Sequence, residues 1–221
     1  MTRRRLVPDR AVVGYVHGGT VRAEFCASLL GLCLEGATPV DVVLALESGP
    51  NISTARNKLC AEFLDRPGSP PWLFMCDTDM VLQPDTIDRL IAAADPSERP
   101  VVGGLCWSLD GGIRYPTMYE LTQADGGRLA FRRYATWADD TVMQVSATGA
   151  ACLLIHRDAL LAVEKAGNDP AAPWFRESAV GGKLALMGED MTFCLRLGAA
   201  GIPVHVATAI KAGHMKTTML I

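Results

Sequence analysis

The chain has 221 residues, of which 49% are hydrophobic and 20% charged, and its formal net charge is −3. That composition describes one globular domain with a sizeable core, and the weak acidic balance gives no electrostatic footprint for nucleic acid. No stretch approaches the ~20 apolar residues of a membrane span. The seven cysteines form no Cys-x-x-Cys pair and sit in apolar segments, the usage of reduced, buried thiols in a cytoplasmic protein.

Residues 11–16 read as a buried strand rich in β-branched side chains. They run into His17-Gly18-Gly19-Thr20, where two glycines let a ligand approach the backbone. Residues 21–34 carry apolar positions at helical spacing, and 41–46 form a second strand. Asn51 or Ser53 can cap a helix through Ala55, Leu59, Phe63 and Leu64. The continuous apolar run at 72–76 is the pattern of a strand buried on both faces. The chain to this point is β-α-β-α-β, which predicts an α/β fold with a doubly wound, mostly parallel sheet. Residues 86–94 continue as a helix and 101–107 as a strand. The stretch 108–140 holds glycines, tyrosines and Arg132-Arg133 without a sustained period, which predicts short antiparallel strands and a mobile loop beside a cleft. Residues 142–155 read as strand, Gly149 turn, strand, and 159–166 as a helix. A turn-rich segment at 167–182, a helix at 191–200, a short strand at 204–206 and a tail with Gly213-His214-Met215-Lys216 complete the chain.

The 72–76 strand ends in two carboxylates, Asp77 and Asp79, with Thr78 between them. In extended backbone, residues two apart project to the same side, and open α/β sheets place ligands at the C-terminal edge of their strands. Two hard oxygen donors there suit Mg²⁺ or Mn²⁺, which in turn would hold a substrate phosphate. A turn or cap role for the two Asp residues stands beside that reading. Arg56 and Asn57 fall in the first turns of the second helix, whose N-terminus attracts anions and where Arg adds a planar donor fork. The alternative for Arg56 is a surface pair with Glu62 or Asp65. Glu189-Asp190 begin a helix, a place the dipole favours for acids on its own. Trp107, Trp137, Trp174 and Phe175 offer aromatic faces for a pyranose, or simply core.

In order along the chain, residues 14–20, Asn51-Ile52-Ser53-Thr54-Ala55-Arg56-Asn57, Asp77-Thr78-Asp79, Gly188-Glu189-Asp190 and Gly213-His214 resemble the motifs of GT-A fold glycosyltransferases. The likeness is closest to bacterial and phage family 2 enzymes. It implies a GT-A fold, Rossmann-like with a short antiparallel portion on the acceptor side. Residues of about 1–107 would bind a nucleotide sugar and about 108–221 the acceptor. It implies further that Asp79 binds the divalent cation, Mn²⁺ or Mg²⁺. Asp77 would contact the ribose, or the metal through water, and His214 would complete the metal shell. His17, Gly18, Arg56, Asn57, Thr78 and Gly149 would line the donor pocket. Beside His214, Lys216 is placed either to reach a diphosphate oxygen as a point charge or to be a solvated tail lysine. Asp190 resembles the general base of inverting members, with Glu189 beside it.

The implied activity is transfer of one sugar from a UDP- or GDP-linked donor to an unknown acceptor hydroxyl. The processive synthases' Gln-x-x-Arg-Trp is missing, which favours single-sugar transfer. Three alternatives stay open: a retaining transferase of the same fold, a nucleotidyltransferase, and a non-catalytic nucleotide-sugar-binding module. The expected partners are the donor and the acceptor, with no nucleic acid and no membrane span; homo-oligomerisation is left open.

Overall fold

Strand β1 (Ala11–His17) forms where Ala-Val-Val-Gly supplies four buried positions in succession. In the computed structural model, which describes residues 9–123, 129–167, 169–179 and 186–216, it is followed by α1 (Ala23–Leu34), β2 (Val40–Glu47), α2 (Ile52–Asp65) and β3 (Trp72–Asp77). Asn51 caps α2, its side-chain oxygen accepting from the Thr54 N–H at 3.1 Å. The pair β4 (Met80–Val81) and the helix α3 (Thr86–Ala93) lead to β5 (Val101–Leu105).

The aperiodic stretch folds as two hairpins. The first is β6 (Trp107–Asp110) with β7 (Ile113–Pro116), turning on Gly111 and Gly112 at φ 55° and 81°. Both glycines sit in the left-handed region, which other residues enter only at a cost. The second is β8 (Met118–Gln123) with β9 (Leu129–Arg133); the loop expected to join them lies outside the described residues. Next come β10 (Val142–Val145), β11 (Ala147–Thr148), β12 (Cys152–His156), α4 (Arg157–Ala166), β13 (Ser178–Ala179), β14 (Leu186–Met187), α5 (Glu189–Ala199), β15 (Val204–Lys211) and β16 (Gly213–His214).

Seven strands make the main sheet in the order β10-β15-β5-β12-β3-β1-β2. β1 runs parallel to β2 and β3, and β15 runs parallel to β5. β12 lies antiparallel between β3 and β5, and β10 antiparallel at the edge. The mostly parallel sheet is therefore as expected, but an antiparallel strand stands near its centre. The connection explains it: among the described residues, hairpins and short strands separate β5 from β12, with no crossover helix to carry the chain back to the opposite edge.

Both faces are covered. Val12, Leu73, Met75, Leu153 and Ile155 pack with Leu59 and Phe63 of α2, Leu160 of α4 and Phe193 of α5. The alternate residues Val13, Phe74, Cys152 and Leu154 pack with Phe25 and Leu32 of α1 and with Ile87 and Leu90 of α3. Gly14 lets α2 approach: a Cβ there would lie 2.8 Å from Leu59 Cδ2. All seven cysteines are free thiols; five are buried, Cys33 is half-buried and Cys26, expected inside, is exposed. Cys26 follows Phe25 on α1, so the turn of the helix that buries Phe25 carries its neighbour outward. Among the described residues, no helix is long and apolar enough to cross a membrane.

Candidate functional site

The C-terminal edge of β3 is built first. Val16 pairs with Asp77 across β1 and β3, and His17 with Glu47 across β1 and β2. The His17-Gly18 loop thus rises beside Asp77, with His17 Nδ1 accepting from the Gly19 N–H at 3.1 Å. Asp77 is the last residue of β3, and its N–H donates to the Ala151 carbonyl at 3.2 Å. Thr78 is half-buried between the two acids.

Arg56 ties three elements together. Its guanidinium is buried and donates to Asp77 Oδ1 at 2.7 Å and to Glu189 Oε1 at 2.6 Å. Burial alone would lower the Arg56 pKa, but Asp77, then Glu189 and Asp190, hold it above its usual value. Its partners lie in β3 and α5, not at Glu62 or Asp65. Glu62 faces Lys58 instead.

Asp79 gathers the tail. Its Oδ2 accepts from Lys216 Nζ at 3.0 Å and lies 2.9 Å from His214 Nε2. β16 pairs with β4 immediately after the two acids, and the Met215 N–H donates to the Asp79 carbonyl. His214 Nδ1 is 2.6 Å from the Trp107 carbonyl. A carbonyl only accepts, so Nδ1 carries a proton, and with Nε2 facing a carboxylate the ring is held as imidazolium. The hydrogen bond to Asp79 accordingly raises the His214 pKa, aided by Trp107 against burial. Burial pushes the Asp79 carboxyl up, but the His214 and Lys216 hydrogen bonds outweigh it and bring it down to about 2.

Asp190 sits at the start of α5, its Oδ1 accepting from the Met191 N–H at 2.8 Å. A Cβ on Gly149 would lie 3.5 Å from Asp190 Oδ2 and 3.8 Å from Thr117 Cβ, so the Gly149 turn faces the carboxylate with nothing larger in between. Burial first, then Glu189, raises the Asp190 pKa against the pull of Arg56.

Two solved structures share this architecture. A197 from STIV aligns over 94% of this chain and 86% of its own length, at a TM-score of 0.60 and 16% identity. GalNAc-T7, crystallised with UDP, GalNAc and Mn²⁺, aligns over 95% of this chain at a TM-score of 0.60 and 9% identity; this chain spans 44% of its length. The fold is GT-A-like. No family model and no curated protein matches the sequence.

Sequence reasoning placed Arg56, Asp77, Asp79, Asp190 and His214 at one edge, and the fold brings them there. It does not form one metal cluster from them: among the described residues no three His, Cys, Asp or Glu side chains converge as ligands, because Asp77 faces Arg56 while Asp79 faces His214. Asn57 is committed internally. It donates to the Ser53 and Phe175 carbonyls and accepts from the Trp174 and Phe175 N–H groups, all within 3.1 Å, which fills its hydrogen-bonding capacity. It holds the 174–175 segment instead of facing a ligand. For Trp174 and Phe175, where a sugar platform and core were both open, the fold decides for core: Trp174 donates to the Leu160 carbonyl, and Phe175 stacks on Phe193 at 4.4 Å. The carbonyl of Trp107 and the phenol of Tyr119 were missed. The Tyr119 pKa is raised first by burial, with Asp190 contributing. Backbone acceptors leave no trace in sequence, and Tyr119 gives only a period-two hint within a half-exposed strand.

Proposed function

We propose that the chain is a metal-dependent glycosyltransferase that moves one sugar from a UDP- or GDP-linked donor to an acceptor hydroxyl, with inversion. One observation carries the reading: Arg56, the Asp77–Asp79 pair, Glu189-Asp190 and the His214–Lys216 tail, far apart in sequence, meet along one sheet edge. The likeness to a structure holding UDP, GalNAc and Mn²⁺ supports the donor class and the cation.

The residues present fit such a cation. Asp79 supplies a carboxylate, and the Trp107 carbonyl fixes the His214 Nδ1–H, so that loss of one proton turns Nε2 into a ligand aimed at the same place. A mixed oxygen and imidazole pair suits Mn²⁺ better than Mg²⁺. When bound, the cation neutralises charge growing on the leaving diphosphate. Lys216 supplies a second positive charge there. Arg56 holds Asp77 in place beside the His17-Gly18 loop, and Gly149 leaves space against Asp190. Asp190, whose pKa burial and then Glu189 raise, takes the acceptor proton. The acceptor oxygen then bonds to the anomeric carbon as the bond to the diphosphate breaks, and the diphosphate departs with the electron pair. The first half of the chain serves the donor, and the second serves the acceptor while returning His214 and Lys216 to the donor's cation and diphosphate. The seven free thiols fit a cytoplasmic enzyme.

Thermal melting with UDP and GDP, each with Mn²⁺ or with EDTA, tests this. Ligand at about 100 times its Kd adds about 2.7 kcal/mol, or about 5–10 °C for a chain of this size. One nucleotide gives that rise with Mn²⁺ only, and Asp79→Ala abolishes it while melting unaided within about 2 °C of wild type. An unchanged rise in Asp79→Ala removes the metal assignment.

A further inference from the structure

Beside the Asp79 cluster, a cleft of about 350 Å³ opens between the β6–β7 hairpin and the tail, lined by Trp107, Ser108, Leu109, Arg114, His214 and Lys216. None of its lining residues is acidic, in a chain of formal net charge −3.

Arg114 gives this cleft its character. Across the hairpin it pairs with Leu109, and its guanidinium stands 4.5 Å from the centre of the Trp107 ring. A guanidinium stacked on an aromatic face keeps its N–H donors in its own plane, so its edge remains available to an oxyanion. Arg114 has no ion pair among the described residues. The hairpin's single acid, Asp110, is 3.6 Å from Arg133 instead. Trp107 is itself braced, by Trp137 edge-on at 5.7 Å and by His214 against its carbonyl. His214 and Lys216 are already held by Asp79, which leaves Arg114 as the cation of the cleft not engaged by a carboxylate.

Asp190 does not line the cleft, but a short run of neighbours leads from the one to the other. Trp107 pairs with Pro116, and the next residue, Thr117, lies against Gly149 together with Asp190.

We infer that the cleft is the acceptor subsite and that it takes a small sugar-like acceptor carrying one oxyanion, a phosphate or a carboxylate, near the hydroxyl that is glycosylated. Arg114 receives the oxyanion along its edge. The volume admits a group of monosaccharide size. The word acceptor rests on the glycosyltransferase reading; the capture of the oxyanion does not.

Isothermal titration of the full chain with glucose 6-phosphate, glucuronate and glucose tests the inference without donor. At least one anionic sugar binds tenfold or more tightly than glucose, and which of the two does so separates phosphate from carboxylate. Arg114→Gln, an exposed hairpin substitution, reduces that preference below threefold with the circular dichroism spectrum unchanged. Equal binding of all three sugars, or a preference that survives Arg114→Gln, overturns it. The melting rise with nucleotide and Mn²⁺ is read in parallel. If it is present without an anion preference, this inference fails and the donor reading stands; the reverse result sinks the donor reading and leaves the oxyanion site.

Discussion

The two carboxylates of Asp77-Thr78-Asp79 are two residues apart and live in different electrostatic surroundings. Asp77 belongs to a triad with Arg56 and Glu189, whose side chains are 4% and 15% exposed. Asp79 faces His214 and Lys216, 15% and 44% exposed, on a tail fastened by two residues of β16. Charges as shielded as Arg56 cannot lose a partner cheaply, because the survivor stays out of water. Pairs as solvated as Asp79 with Lys216 contribute little to stability and can exchange partners. One carboxylate therefore holds the scaffold while its neighbour is available to ligands.

The sharpest way to break that contrast is Arg56→Ala. It strands Glu189 and Asp77 together, and destabilises the protein by about 3 kcal/mol, or about 10 °C of melting temperature. An unmoved melting curve by circular dichroism would show the triad to be incidental. Asp190→Asn comes next, with opposite effects on activity and stability. Because the folded pKa is raised, the native state holds its proton longer than the unfolded chain, so stability declines as pH rises from the ordinary value of 3.8 through the folded one. The variant escapes that decline: it melts higher than wild type at pH 7 and alike at pH 3, while transfer falls by about 10²–10⁴-fold. Equal melting at both pH values would mean that Asp190 is not strained. On the Asp79 side, His214→Ala melts within about 2 °C of wild type yet loses Mn²⁺ affinity by at least about tenfold, read by titration of Mn²⁺ in the presence of nucleotide. Lys216→Ala is the smallest change, with no resolved shift in melting and only weaker, more salt-sensitive diphosphate binding.

The β-α-β-α-β half was legible because its strands are continuous apolar runs and Asn51 announces α2. The same patterns say nothing of strand direction: the residues Cys152 to His156 are all buried, and such a run reads alike either way, so the antiparallel placement of β12 was hidden. The motif acids were visible, but what they touch was not. Arg56 meets residues 21 and 133 positions away, while the partners its own helix offered were Glu62 or Asp65. Between sugar platform and core, sequence could not decide for Trp174 and Phe175, because a turn-rich neighbourhood implies exposure, whereas Asn57, from another element, draws their backbone inward. In the 204–206 segment the strand runs on to Lys211, through Thr208, whose hydroxyl donates to the carbonyls of Ala138 and Thr141; polar residues satisfied by tertiary partners do not read as strand.

The pairing of β16 with β4 also orders events in time. All seven strands of the main sheet are complete by Lys211, and the Arg56 triad by Glu189. Asp79 gains His214 and Lys216 only after that. As the polypeptide leaves the ribosome, the scaffold can close before the proposed cation site is complete. A chain clipped after Ala212 would keep its sheet and lose His214 and Lys216, so under the proposed function cation affinity would report whether the tail is intact, and cleavage there would silence the protein without unfolding it.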